Sequence, residues 1–147
     1  MPEQETIKRV QRARRAGKAP STQAGEFVKE EMDHIRGGKH GARSSKQAIA
    51  IGLSKARRAG VKLKAPKAGT VSEATRKNAM QDTKNAGNGH RTNPKRALAT
   101  TRALKQEGSA AASPKALSRQ SRSVAAKKTV GQRFAAAKKA ARTRTGK

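Results

Sequence analysis

The sequence has no cysteine, tryptophan or tyrosine, and it has only two phenylalanines among its 147 residues. The absence of cysteine excludes disulfide bonds and thiolate metal sites. The scarcity of aromatic side chains argues against sequence-specific recognition of single-stranded RNA, because that readout relies on rings that stack on bases. Acidic side chains are also few: there are nine, against 36 lysines and arginines.

Bulky apolar side chains are the second shortage. Leu, Ile, Val and Phe together make up 17 of the 147 residues, whereas alanine alone accounts for 28. A highly charged chain of this kind usually does not fold as a whole, because the area it buries does not offset the conformational entropy of ordering. No apolar run approaches the ~20 residues of a membrane span, and the N-terminus lacks the apolar segment of a signal peptide. We therefore expect a cytoplasmic protein with no membrane partner.

Positive charge is what the chain has in excess. The formal net charge is +27, far beyond the magnitude of ~2–8 that keeps a small domain in solution. A field of this sign and size attracts polyanions, and nucleic acid before anionic membrane. The charge is uneven, with +8 over residues 1–60, +19 over residues 61–147 and no acidic residue after Glu107. This change in composition indicates a domain boundary near Pro66.

Apolar residues recur at helical spacing on both sides of one glycine-rich turn, at residues 37–41. The pattern predicts helices over residues 3–16, 21–36 and 44–60, because side chains three and four positions apart share one face of a helix. The last two, joined by a short turn, should pack as an antiparallel hairpin. Gly52 lies in the middle of the third helix, where glycine costs ~1 kcal/mol relative to alanine. We therefore expect the two helices to approach closely at that point.

Capping residues predict where these helices start and stop. Ser21 or Thr22 precedes the second helix and Ser44 precedes the third, and each offers a side-chain oxygen to the free backbone N–H groups of a first turn. Gln47, three residues after Ser44, completes the pattern of a capping box. Gly17 is expected to end the first helix.

The chain beyond the boundary has a helix-forming composition but few residues to bury. Residues 72–86, 95–106, 114–128 and 132–142 are each capable of forming a helix, and residues 86–94 have the composition of a loop. Short helices that bury nothing large are marginal in water. The predicted fold class is therefore mostly α: a small helical hairpin or three-helix unit, followed by a long basic tail that is largely disordered or marginally helical.

These patterns divide the chain into three predicted parts. Residues 1–20 form a basic N-terminal helix, residues 21–65 form the helical hairpin core, and residues 66–147 form a Lys/Ala/Arg-rich tail that is mostly disordered when free. Bound phosphates would remove the repulsion between the like charges of the tail, so we expect the tail to fold on contact with nucleic acid.

No combination of residues indicates catalysis, and the chain is predicted not to be an enzyme and to need no cofactor. Glu30 and Glu31 with His34 and His40 have a spacing that a metal site could use. The same spacing is common in surface pairs, so we interpret these residues as solvated and predict no metal site. His90 lies in a predicted loop without a partner.

The glycine-rich turn precedes a helix N-terminus, where backbone N–H groups together with Lys39 and Arg43 could cradle a phosphate. A simple turn is the first interpretation and a phosphate contact the second. The turn is not a nucleotide-binding P-loop, because no strand precedes it and the glycine and lysine spacing differs.

One short sequence, Ala-Arg-Arg-Ala-Gly, occurs twice, at residues 13–17 and 56–60. The simpler interpretation is that it is a common basic helix end. The alternative is that the two copies are equivalent helix ends that face phosphates.

The stretch STQAGEFVKEEMDHIRGGKHGARSSKQAIAIGLSKARRAGVKL, residues 21–63, resembles a family of short basic bacterial proteins of uncharacterised function, some of which are labelled plasmid stabilisation protein. The most diagnostic part is residues 38–61, with SSKQAIAIGLSKARRAGV at its centre. The segment AAAKKAARTR, residues 135–144, is similar to the Ala/Lys-rich tails of bacterial histone H1-like proteins. These resemblances imply a plasmid-maintenance or nucleoid role and no catalytic residues.

The sequence thus predicts sequence-independent binding of duplex DNA, in preference to RNA, through contacts to phosphates in the bacterial nucleoid. One alternative is a small adaptor that binds a protein partner through residues 21–60. Another is a basic protein associated with RNA or the ribosome. The predicted nucleic-acid-binding residues are Lys39, Arg43, Lys46, Lys55, Arg57, Arg58, Lys62, Lys64, Lys127, Lys128, Arg133, Lys138, Lys139, Arg142 and Arg144.

Overall fold

The computed structural model describes residues 2–88 and 93–146, and the part of the chain that it describes is all-helical. Residues 89–92, which include His90 and the centre of the loop predicted over residues 86–94, lie outside the described residues. Within the described residues, seven α-helices and one short 3-10 helix follow one another. Their bounds are α1 Gln4–Arg15, α2 Pro20–Arg36, α3 Ser45–Arg58, α4 Glu73–Lys84, α5 Pro94–Gln106, the 3-10 helix Ala110–Ala112, α6 Pro114–Ala126 and α7 Val130–Thr145.

The predicted fold class is wrong for the second half of the chain. The chain beyond residue 66 is not a long, largely disordered or marginally helical tail, since four α-helices and the 3-10 helix form there. Capping explains part of the difference: side chains of Ser72, Asn93, Ser113 and Thr129 accept backbone N–H groups at the starts of these helices. Each cap gives a partner to backbone N–H groups of a first turn, and this favours the helix that follows.

The hairpin of α2 and α3 forms as predicted, and its close approach at Gly52 is confirmed. A Cβ atom placed on Gly52 would lie 2.7 Å from Cα of Val28 on the facing helix. The backbones of α2 and α3 therefore touch at a point where any side chain would separate them.

Two clusters of apolar side chains lie along the hairpin. One is built on Phe27 and includes side chains from α1, α3 and the segment after α3; its members are Ala24, Phe27, Ala56 and Val61, with Val10, Leu53 and Leu63 packed against them. The other is built on Ile35 and extends to the second half of the chain; its members are Met32, Ile35, Ala42, Ala48, Ala111 and Ala112, with Val28, Ile49 and Leu117 against them.

The second cluster explains how residues after position 66 join the core. Ala112 is fully buried and Ala111 nearly so, and the hydroxyl of Ser45 donates a hydrogen bond to the Ala111 carbonyl. Arg36 Nε donates to the carbonyl of Ala112 at 2.9 Å. Small alanine side chains allow the 3-10 helix to approach the hairpin closely, so these hydrogen bonds are made at short range. A search for bulky apolar residues does not find this contact, because its members are alanines.

The glycine-rich turn and the end of α5 are also joined by backbone hydrogen bonds. Gly41 N–H donates to the Leu104 carbonyl at 2.8 Å, and Ala42 N–H donates to the Gly108 carbonyl at 3.2 Å. A Cβ atom on Gly41 would lie only 1.9 Å from the carbonyl oxygen of Glu107. Glycine is therefore required by the close approach of these two segments.

The predicted helix starts are correct at α3 and wrong at α2. Ser44 accepts the Gln47 N–H at 3.1 Å, although the Gln47 side chain accepts from Arg43 N–H rather than from Ser44. Helix α2 begins at Pro20, before Ser21 and Thr22, and has no side-chain cap. Proline suits a first helical position, because its missing N–H would have no partner there.

Helix α7 stands apart from the core. No residue of α5, α6 or α7 is buried, and from Ser121 to Arg142 every residue is exposed. Lys18 Nζ donates to the Thr143 carbonyl at 2.7 Å, which joins the end of α7 to the segment before α2. The division into residues 1–20, 21–65 and 66–147 stays a prediction.

Candidate functional site

A cationic surface without carboxylates covers α6, α7 and the residues that join them. Ten lysines and arginines lie on it, and all ten are exposed. No acidic residue follows Glu107 in the sequence, so none of these cations has a carboxylate neighbour on its own segment. The ten are Lys115, Arg119, Arg122, Lys127, Lys128, Arg133, Lys138, Lys139, Arg142 and Arg144.

Helical spacing groups some of these cations. Lys115, Arg119 and Arg122 are four and three positions apart, which places them on one face of α6, and with Ser118 they line a surface cavity of about 370 Å³. Arg119 also lines a cavity of about 410 Å³ with Arg43 at the N-terminus of α3. The basic surface therefore continues from α6 onto the hairpin.

The predicted binding residues on the hairpin divide into three kinds. Lys46, Lys62 and Lys64 are exposed. Exposed Lys39, Arg43 and Arg58 each lie beside one acidic residue: Lys39 Nζ is 2.6 Å from Glu3, and Arg43 and Arg58 are each 3.7 Å from Glu107 and Asp82 respectively. The third kind, Lys55 and Arg57, is turned into the protein.

Arg57 is only 7% exposed. Its Nη2 donates to the Lys64 carbonyl at 3.4 Å, and burial lowers the pKa of its guanidinium from the ordinary value, with nearby Asp82 opposing the shift. In the first copy of the repeat, by contrast, Arg14 is exposed. The two copies of Ala-Arg-Arg-Ala-Gly are therefore not equivalent surfaces, although both end a helix.

Most backbone N–H groups of the glycine-rich turn are already hydrogen-bonded within the protein. The N–H groups of Gly37, Gly38, Lys39, Gly41 and Ala42 all donate to carbonyl groups within the protein, and Arg43 N–H donates to Gln47 Oε1 at 2.7 Å. The phosphate contact through the backbone N–H groups at the start of α3, together with the exposed side chains of Lys39 and Arg43, stays a prediction.

A cluster of ionisable side chains is buried where α2 meets this turn. Glu30 and Glu31 are 2% and 1% exposed, so the interpretation of these glutamates as solvated surface residues is wrong. The sequence did contain a signal: Glu31 lies four residues after Phe27 and four before Ile35, on the apolar face of α2.

Lys55 and His40 are the partners of Glu31. Lys55 Nζ donates to Glu31 Oε2 at 2.6 Å and lies 3.7 Å from Glu30 Oε1. His40 Nε2 lies 3.0 Å from Glu31 Oε1. One oxygen of each glutamate thus faces Lys55, and the second oxygen of Glu31 faces His40.

Glu3, at the start of α1, joins this cluster from outside. Its Oε1 accepts from Lys39 Nζ at 2.6 Å and lies 2.9 Å from His34 Nε2, and its N–H donates to Glu30 Oε2 at 3.1 Å. A hydrogen bond from Lys39, and a smaller contribution from the hydrogen bond to His34, lower the pKa of the Glu3 carboxyl to about 2. The carboxylate is therefore ionised at neutral pH and holds α1 to the end of α2.

None of the helices within the described ranges is long and apolar enough to cross a lipid bilayer.

The fold and the surface together define a small, basic, all-helical protein with an acid-free cationic face. Residues 3–68, which contain α1, α2 and α3, match the sequence model of a family of unknown function, DUF6496. No curated protein and no solved structure matches the chain. The resemblance to a family of uncharacterised function is thus supported over residues 3–68, whereas the plasmid-stabilisation and histone H1-like labels find no support.

Proposed function

We propose that the protein binds nucleic-acid duplexes, DNA in preference to RNA, through phosphate contacts that do not depend on base sequence. The observation that carries the proposal is the exposed, acid-free surface of α6 and α7, with ten lysines and arginines. Cations that have no carboxylate partner within the described residues can replace the condensed counterions of a duplex, and release of those counterions drives binding.

The dimensions of these helices suit a duplex backbone. α6 has 13 residues and α7 has 16, which correspond to lengths of about 20 Å and 24 Å. Duplex DNA carries one negative charge per ~1.7 Å of its axis, so each helix spans many phosphates. A nucleoid-associated role, of the kind the histone H1-like composition of residues 135–144 implies, belongs to this proposal.

The test is a binding series with a fluorescent 30-bp DNA duplex across a range of salt concentrations. If about 8 phosphates are neutralised, the logarithm of the association constant should fall with the logarithm of salt with a slope of about −7. Scrambling the base sequence should leave the affinity unchanged. An affinity that stays flat with salt would overturn the proposal, and stronger competition by structured RNA than by DNA would favour the RNA-associated alternative.

A pair of charge-matched variants locates the interface. The tail variant replaces Lys138, Lys139, Arg142 and Arg144 with glutamine, and the control variant makes the same change at Lys8, Arg12, Arg15 and Lys29, which are also exposed. Both variants lose four positive charges, so a difference between them reports position rather than net charge. We expect the tail variant to lose the larger share of affinity and salt dependence, and equal losses would contradict the placement on α7.

The adaptor alternative required an exposed apolar face on residues 21–60. Within the described part of the chain, that face is covered by side chains of α1, the 3-10 helix and α6, including Val10, Ala112 and Leu117. The larger exposed apolar side chains lie elsewhere, at Met80, Leu98, Val124, Val130 and Phe134. The observations therefore favour the nucleic-acid interface, and we do not propose a protein partner for the hairpin.

A further inference from the structure

Three side chains that can bind a metal ion converge at the C-terminal end of α2. A carboxylate oxygen of Glu31 and one ring nitrogen each of His34 and His40 lie within 4.8 Å of one another. Glu31 and His34 are one helical turn apart on α2, and the turn at residues 37–41 brings His40 back towards them. All three side chains are at most one-sixth exposed.

The hydrogen bonds of His40 leave its second ring nitrogen facing the Glu31 carboxylate. Nδ1 lies 3.0 Å from the Gly41 carbonyl, which can only accept, so Nδ1 carries a proton. Nε2 lies 3.0 Å from Glu31 Oε1, and a carboxylate also only accepts. Two acceptors therefore face one imidazole, and a metal ion bound to both Nε2 and Oε1 would satisfy this contact. A metal-ligating histidine characteristically donates its other N–H to a backbone carbonyl, as Nδ1 does here.

His34 also has, at one ring nitrogen, a hydrogen-bond partner that would orient it as a metal ligand. Its Nε2 lies 2.9 Å from Glu3 Oε1, and Lys39 holds that carboxylate in place at 2.6 Å. When a neutral imidazole donates from Nε2, the lone pair is on Nδ1. A carboxylate that orients a histidine in this way is the usual neighbour of a zinc ligand.

Glu30, next to Glu31 in the sequence, has a buried carboxyl oxygen without a hydrogen-bond partner. Glu30 is 2% exposed, and its Oε1 has no hydrogen-bond partner. The Lys55 ammonium lies 3.7 Å from the buried Glu30 carboxyl and 2.6 Å from the buried Glu31 carboxyl. A metal ion bound at Glu31 would bring further positive charge next to these two buried carboxyl groups.

We propose that Glu31, His34 and His40 bind one divalent transition-metal ion of the zinc class. Two imidazoles and one carboxylate suit Zn²⁺, whereas Mg²⁺ and Ca²⁺ prefer oxygen ligands alone. The 3.0 Å between Glu31 Oε1 and His40 Nε2 is close to the ~3.3 Å that two ligands of a tetrahedral Zn²⁺ keep at their usual bond lengths. A water molecule would complete the four-coordinate site.

The ion would fasten the turn at residues 37–41 to the end of α2. This turn holds the end of α5 through Gly41 and Ala42, so the ion would stabilise the contact between the two halves of the chain. The inference is independent of nucleic-acid binding, because none of the three ligands is among the exposed cations of α6 and α7.

The experiment is calorimetric titration of the full-length protein with ZnCl₂, after nucleic acid has been removed in high salt and metal with a chelator. Background binding is expected to be weak, because the chain has no cysteine, three histidines and a net charge of +27. We expect one equivalent of Zn²⁺ to bind at micromolar concentration or below, a rise in melting temperature on saturation, and no comparable heat from MgCl₂. Absence of Zn²⁺ binding to the native protein would overturn the proposal.

Variants test which residues are the ligands. H34Q, H40Q and E31Q should each weaken Zn²⁺ binding by at least 100-fold, and E3Q, which removes an orienting group, by about 10-fold. The matched control E26Q changes a glutamate on the same helix that pairs with Arg9 instead, and it should bind Zn²⁺ as the native chain does. Native affinity in folded H34Q and H40Q would refute the assignment.

A spectroscopic measurement covers the case in which a variant fails to fold. Co²⁺ added to the native protein should produce a visible absorption band of a tetrahedral site that saturates at one equivalent and is abolished by excess Zn²⁺. A spectrum that stays that of aqueous Co²⁺ would overturn the proposal without any variant.

Discussion

Gly52 on α3 and Val28 on α2 face each other so closely that a Cβ atom on the glycine would lie 2.7 Å from the valine Cα. G52A should therefore lower the free energy of unfolding by about 1–3 kcal/mol, because the two helices must separate to admit the methyl group. Chemical denaturation followed by circular dichroism measures this. The control is G25A on α2, where a Cβ meets nothing within 4 Å; there alanine should stabilise the helix by about 0.5–1 kcal/mol. Equal effects at both sites would contradict the close approach.

Gly41 should be equally intolerant of alanine. Its Cβ would overlap the carbonyl oxygen of Glu107, so G41A should break the backbone hydrogen bonds from Gly41 and Ala42 to the end of α5. We expect faster hydrogen exchange at these two amides and a loss of stability of about 1–3 kcal/mol. G108A, at a position where a Cβ has open space, should leave both quantities nearly unchanged.

The two phenylalanines should differ sharply in their contribution to stability. Phe27 is 1% exposed and Phe134 is 72% exposed. F27A removes the largest side chain of its cluster and should cost about 3–5 kcal/mol, which in so small a core is enough to unfold the hairpin at ambient temperature. F134A should stay within about 0.5 kcal/mol of the native protein. Thermal melts of the two variants, run side by side, would show the difference, and similar melting temperatures would place Phe27 outside the core.

Ser45 should contribute more to the free energy of unfolding than its small side chain suggests. Its buried hydroxyl donates to the Ala111 carbonyl, and S45A leaves that buried carbonyl without its donor. We expect a loss of about 1–3 kcal/mol, measured by urea denaturation, while S118A on the exposed surface of α6 should be nearly neutral. If S45A also proves neutral, the 3-10 helix is not held to α3 as described.

Removal of α7 should separate folding from binding. A chain that ends at Lys128 loses no buried residue, so its melting temperature should change by only a few degrees at most. It loses Arg133, Lys138, Lys139, Arg142 and Arg144, and its affinity for duplex DNA should fall with a shallower salt dependence. An unchanged affinity would place the interface on α6 and the hairpin instead.

Much of the local structure could be predicted from the sequence. The spacing of apolar residues around the turn predicted the hairpin, Gly52 predicted its close approach, and Ser44 predicted the start of α3. These features depend on side chains a few residues apart, or on the steric demand of a single glycine, so the order of residues is sufficient to reveal them.

The candidate metal site could not be predicted in the same way. Glu31 and His34 are neighbours on one helix, but His40, Glu3 and Lys55 reach them from three other segments. The burial of Glu31 was visible as a break in the apolar stripe of α2. The convergence of its partners was not, because it depends on how the turn and α1 pack.

The sequence by itself determined the large positive charge, the absence of acidic residues after Glu107 and the capacity of each segment to form a helix. These are properties of the residues one at a time, or of neighbours within a helical turn. Only the tertiary structure decided that Ala111 and Ala112 complete the core and that Lys55 and Arg57 face inward while α7 stays exposed. Burial depends on which distant segments come into contact, and in a chain this rich in alanine the small side chains that permit such contacts look the same in the core as on the surface.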